Sequence, residues 1–116
     1  MEKKAKKIPR QPATARRKDV SAMVEDIVGC KWSLSVLRLV RDGVNRPGAM
    51  QKAVDGLSTK VLNERLRKLQ RFGIVEKHAY PEIPPRVEYQ LTDFGARFSS
   101  LLDGVASLQG WLDAKP

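Results

Sequence analysis

A mainly α-helical chain carrying one β-hairpin is what this sequence predicts. Apolar residues recur at 3-4 spacing through most of its length, and two helical segments near the middle stand back to back around a glycine. Two short runs of apolar/polar alternation then flank a cluster of prolines. At 116 residues the chain is one domain with a modest core.

Taken in order, Val20, Met23, Val24, Ile27 and Val28 mark one face of a first helix, with Asp19 or Ser21 as its N-cap. Gly29 breaks the run. "KWSLSVLRLVRDG" follows as a second helix, apolar at Trp32, Val36, Leu37, Leu39 and Val40, with Gly43 as its stop. Pro47-Gly48 then opens a short helix through "AMQKAV" that ends at Asp55-Gly56. "LSTKVLNERLRKLQRFG" restarts at once, with Ser58 as N-cap and Gly73 as C-terminal stop. Two helices about three residues apart around a glycine describe a helix-turn-helix.

On the second helix of that pair, Leu62, Leu66 and Leu69 share one side, with Val61 and Phe72 at its flank. Lys60, Asn63, Glu64, Arg67 and Arg71 share the other. Taken alone, this is an ordinary solvated helix face. Its place in a helix-turn-helix makes it the candidate readout face.

"IVEKHAY" and "RVEYQLT" alternate as two half-buried strands do, and "PEIPP" joins them. Prolines lack a backbone donor and fix φ, so they belong in a rigid tip outside the ladder. Arg86 stands at the base of this tip. Two roles are open to it: a local pair with Glu82 or Glu88, or, behind a basic helix-turn-helix, a contact with phosphates or a minor groove.

Thr92 is a good N-cap for the closing segment, and Phe94, Phe98, Leu101, Val105, Leu108 and Leu112 repeat at spacings of 4, 3, 4, 3 and 4. The pattern predicts one continuous helix of about 30 Å with a narrow apolar stripe. Such a stripe suits a seam for another helix. It either pairs with a second copy of the chain or packs on the Val20–Val28 helix of its own.

The 22 Lys+Arg outnumber the 13 Asp+Glu, giving a formal net charge of +9. The excess is concentrated in residues 1–18, which hold eight basic residues and one acid. Ile8 is the only sizeable apolar residue there after Met1, too little to offset ordering entropy, so residues 1–18 read as a disordered basic tail before a domain spanning 19–116. Such a tail is either a solubilising arm or a non-specific phosphate clamp.

One cysteine, Cys30, and one histidine, His78, exclude an intramolecular disulfide and a Cys/His metal cage within one chain. Scattered carboxylates supply no nucleophile-base set, and no phosphate-binding glycine loop is present, so neither an enzyme nor a cofactor is expected. No apolar run approaches a membrane span or a secretory signal, which predicts a cytoplasmic protein.

The order of elements is that of a winged helix-turn-helix. "GCKWSLSVLRLV", "LSTKVLNERLRKLQRFGIVEK" and "YPEIPPRVEYQLTDFG" closely resemble the signature segments of HxlR-type winged helix-turn-helix transcription regulators, over about Val20 to Leu112. The resemblance implies a prokaryotic DNA-binding homodimer whose first and last helices form the interface, here Val20, Met23, Val24 and Ile27 with Phe98, Leu101, Val105, Leu108 and Leu112. It also implies that the Ser58–Phe72 segment enters the major groove, with Ser58, Thr59, Lys60, Asn63 and Arg67 facing DNA. Arg86 would lie on the wing. Arg65 fits the motif, but the helical wheel turns it toward the core edge, where it is structural.

Many members of that family carry a Cys-Pro pair twelve residues before the lysine of a Gly-Lys-Trp segment, and some sense oxidants with that cysteine. This chain has Asp19-Val20 there, and Cys30 stands in place of the second glycine of a Gly-Gly-Lys-Trp string, so it does not inherit that role and is either a small buried filler or a redox sensor in its own right. No residue indicates the chemistry of a small-molecule effector between the dimer helices. The function expected is a sequence-specific regulator that reads an inverted repeat in double-stranded DNA. The alternative is a winged-helix protein-interaction module whose tail binds nucleic acid or anionic surfaces by charge alone.

Overall fold

The computed structural model describes residues 19–115; the basic tail at 1–18, with the disorder and phosphate-clamp role expected of it, lies outside them. Eight elements follow in chain order. They are helices α1 (Val20–Gly29), α2 (Ser33–Arg41), α3 (Pro47–Ala53) and α4 (Thr59–Arg71), strands β1 (Val75–Tyr80) and β2 (Arg86–Leu91), and helices α5 (Asp93–Ser99) and α6 (Leu101–Asp113). The fold is a winged helix-turn-helix, mainly α with one antiparallel hairpin.

Side-chain caps set three of the helix starts. Asp19 accepts from the Ala22 N–H, Ser58 from Val61 and Thr92 from Gly95, each satisfying a donor that the first turn leaves open. Gly43, Gly56 and Gly73 all take positive φ at turns. Trp32 also adopts φ 77 between α1 and α2. A Cβ added to Gly56 would lie 3.8 Å from the Trp32 ring, so this aromatic braces the turn of the helix-turn-helix.

Leu62, Leu66 and Leu69 of α4 meet Val36, Leu37 and Val40 of α2, Met50 of α3 and Ile74 in one buried cluster. Thr92 joins the wing to α5: its hydroxyl donates to the Gly73 carbonyl at 2.5 Å while its oxygen accepts from Gly95 N–H at 2.9 Å. Gly95 is required where it stands. A Cβ there would sit 1.8 Å from the Ile74 carbonyl oxygen.

One expectation is corrected. The closing segment is not one unbroken helix but two, meeting at Ser100. The Ser99 hydroxyl donates to the Ala96 carbonyl at 2.9 Å and the Ser100 hydroxyl to that of Arg97 at 2.6 Å. The Ser100 N–H also bonds back three residues, to the Arg97 carbonyl, which tightens the chain out of the α ladder. Met23, Ile27 and Phe98, expected on the dimer seam, are buried within the protomer together with Leu102, and Ile27 and Phe98 also line an apolar cleft beside α6. Beyond Ser100, Leu101, Val105, Leu108 and Leu112 stay exposed with Trp111.

Candidate nucleic-acid interface

The α4 helix divides cleanly into two faces. Leu62 and Leu66 are wholly buried and Leu69 nearly so, whereas Thr59, Lys60, Asn63, Glu64, Arg67, Gln70 and Arg71 face solvent. Among the described residues, the side chains of Lys60, Asn63 and Arg67 have neither hydrogen-bond nor ion-pair partner. Thr59 is committed in part: its hydroxyl accepts from Gln51 Nε2 at 3.0 Å, joining α3 to α4. Ser58 is exposed but spends an Oγ lone pair on the Val61 N–H at 3.2 Å.

Two other cations of α4, Arg65 and Lys68, hold the helix in place. Arg65 Nε donates to the Lys31 carbonyl at 2.8 Å. Lys68 Nζ donates to Asp26 Oδ1 on α1 at 2.6 Å and to Cys30 Sγ at 3.0 Å, rather than pairing with Glu64 one turn earlier. The hydrogen bond from Lys68 holds the Asp26 carboxyl below the usual carboxylate value, and the same bond holds the Lys68 ammonium above its own. Cys30 is half-buried in this junction, and its thiol donates to Asp26 Oδ1 at 3.3 Å.

The wing pairs Val75 with Leu91 at one end and Tyr80 with Arg86 at the other. Its tip, Pro81 to Pro85, is exposed throughout, with Ile83 fully so. Both local partners weighed for Arg86 are found. Its guanidinium lies 3.9 Å from the Tyr80 ring centre, with Nη2 3.2 Å from Glu82 and Nε 3.7 Å from Glu88. Glu88 also takes Arg46 Nε at 3.4 Å, from the residue that precedes α3. The Tyr89 N–H donates to the Asn45 carbonyl at 2.8 Å, docking the wing on the loop before the helix-turn-helix. Sequence reasoning missed Arg46, because its partner lies 42 residues away on another element.

Arg46 and Arg86 thus flank a cleft of about 430 Å³ between the start of α3 and the wing. A second cleft, of about 280 Å³, lies on the opposite theme: it is wholly apolar, lined by Val24, Val28 and Leu34 from α1 and α2 and by Leu101, Val105 and Leu108 from α6. Among the described residues no helix is long and apolar enough to cross a membrane, and no group of His, Cys, Asp and Glu is placed to hold a metal.

The model of the HxlR-like helix-turn-helix family matches residues 27–115. The chain belongs to that family. It is 44% identical over 91 residues to an HTH-type transcriptional regulator of Synechocystis, covering 78% of this chain and 67% of that protein. It is 34% identical over 86 residues to the HTH-type transcriptional regulator YtfH of Escherichia coli, covering 74% and 66% of the two. The chain therefore spans about two thirds of the length of these curated relatives. Among solved structures it is similar to the reduced form of the transcriptional regulator YodB from Bacillus subtilis, at a TM-score of 0.65 and 28% identity over 79% of this chain and 87% of that one. Family and relatives are transcriptional regulators, and the helix-turn-helix of this HxlR-like chain is a DNA-binding fold.

Proposed function

We propose that this HxlR-like protein is a homodimer that reads an inverted repeat in double-stranded DNA through α4 and steadies the duplex with its wing. One observation carries the reading: Lys60, Asn63 and Arg67 project from a helix whose other face is fully buried, and no group of the described protomer engages them. Unspent donors on a rigid helix suit base edges. Asn63 has the paired donor and acceptor that match adenine, while Lys60 and Arg67 match guanine or phosphate. Ser58 and Thr59, at the N-terminal end of α4, are placed for phosphate contacts, and Arg86 for the same from the wing.

Dimerisation is supported by the apolar surface left open. Val20 and Val28 on α1 and Leu101, Val105, Leu108 and Leu112 on α6 are each more than two-fifths exposed around the apolar cleft. A second copy of α1 and α6 covers that surface, and two-fold symmetry sets two copies of α4 about one helical turn apart, roughly 34–36 Å. Residues 1–18 add phosphate contacts of no sequence preference, and the protein works in the cytoplasm where the chromosome lies.

The test is selection of bound sequences from a random duplex pool at near-physiological salt, with the mass of the free protein measured by light scattering. An enriched inverted repeat and a mass of two chains are expected. Salt-sensitive binding with no enrichment, lost on deletion of residues 1–18, would replace this reading with charge-driven binding by the tail.

A further inference from the structure

Glu88 has no evident place in a DNA-facing surface. It sits on β2 beside the cleft flanked by Arg46 and Arg86, its side chain only 15% exposed, and a carboxylate there repels the phosphates that the arginines would attract. Its geometry is specific. A single oxygen, Oε2, faces the Nε edges of both Arg46, at 3.4 Å, and Arg86, at 3.7 Å. Glu82 takes a second edge of Arg86. The two cations nearest the cleft are therefore matched by two carboxylates, and this corner presents almost no net positive charge to an approaching duplex.

We propose that Glu88 is a resident counter-ion of the DNA-binding surface: it holds Arg46 and Arg86 until a seated phosphate displaces it, and so sets the affinity of the seated duplex. The proposal rests on the DNA-reading role of α4. Screening confines such effects to about 8 Å at physiological ionic strength. A duplex held at a distance leaves the arginine-carboxylate pairs intact and gains little from them. Only a duplex seated deeply enough for Asn63 and Arg67 to reach base edges brings a phosphate into the cleft. There the phosphate competes with Glu88 for the arginines. The carboxylate thus lowers the affinity of a seated duplex by the work of breaking these pairs, and that of a loosely held duplex by less.

The test compares wild-type full-length protein with Glu88→Gln, which keeps the shape and removes the charge, on the selected duplex and on a random duplex across a salt series. Selected-site affinity is expected to rise about threefold or more, with the slope of log K against log salt steeper by up to about 0.9 for each arginine no longer neutralised. Random-duplex affinity rises less, so the ratio between the two grows. Adding Arg46→Ala to Glu88→Gln should take back part of the gained slope. Glu82→Gln, at a half-exposed position outside the shared pair, should give a smaller change of the same sign. If Glu88→Gln folds as wild type but binds both duplexes more weakly, Glu88 merely braces the wing and the inference is overturned. An unchanged slope in both Glu88→Gln and Glu82→Gln overturns it equally. A wild-type protein that enriches no site refutes the DNA-reading role itself, whereas enrichment by wild type with no response to the glutamines refutes only the counter-ion.

Discussion

Lys68 Nζ lies 2.6 Å from Asp26 Oδ1, so a cation of α4 is spent on fastening that helix to α1. The pair joins the helix proposed to read DNA to the helix proposed to dimerise. Removing either charge should loosen α4 without altering which bases it prefers. Lys68→Met or Asp26→Asn is expected to cost about 0.5–1 kcal/mol in chemical denaturation, the range of partly exposed ion pairs.

The same pair fixes a pH dependence. The carboxyl of Asp26 is lowered from 3.8 by its hydrogen bond from Lys68, so its contribution is present above 3.8 and is lost as pH falls through the lowered value. The ammonium is raised from 10.5, so its contribution is full below 10.5 and is lost as pH rises through the raised value. Thermal unfolding of wild type and Asp26→Asn should differ at neutral pH and converge in acid. A difference that persists in strong acid would assign the effect to packing.

Gly95→Ala tests the closest approach in the fold. The added methyl would meet the Ile74 carbonyl, a backbone group, with no flexible side chain to yield. A loss of about 3 kcal/mol or more is expected, at the upper end of overpacking costs. A Gly104→Ala control, where nothing lies within 4 Å, should be neutral or mildly stabilising.

Ser58 serves two ends that one substitution separates. Ser58→Asp keeps a capping oxygen for the Val61 N–H and suits the positive end of α4, so stability should hold. The added charge should nevertheless weaken duplex binding. Ser58→Ala should do the reverse in stability, losing about 1 kcal/mol. Denaturation curves and fluorescence anisotropy on the same preparations distinguish the two.

Much of this was legible in the sequence because it is local. Caps at Ser58 and Thr92, stops at Gly43 and Gly73 and the proline tip all depend on residues within one turn of each other. The polar face of α4 followed from helical spacing alone. What could not be read depends on distant partners: Asp26 for Lys68, and Glu88 for Arg46. The 4-3 stripe after Thr92 marked apolar residues correctly but not their side of the molecule. The Ser99 and Ser100 hydroxyls tighten the backbone there, so Phe98 and Leu102 turn inward while Leu101 and Val105 turn out.

The outward residues make the dimer testable by a single charge. Leu108→Glu sits on the exposed stripe, 68% accessible, and should leave the protomer folded while light scattering shows one chain in place of two. Affinity for an inverted repeat should fall with it. A protein that stays dimeric would move the interface elsewhere.

The central claim is that the unpartnered side chains of α4 read bases in two symmetric half-sites. Its most direct test is selection from one random duplex pool by wild type, Asn63→Ala and Arg67→Ala in parallel. Each variant should relax preference at its own pair of symmetry-related positions by about 1–3 kcal/mol, leaving the rest of the repeat intact. An unchanged sequence preference in both variants, with only a uniform loss of affinity, would contradict base readout by α4.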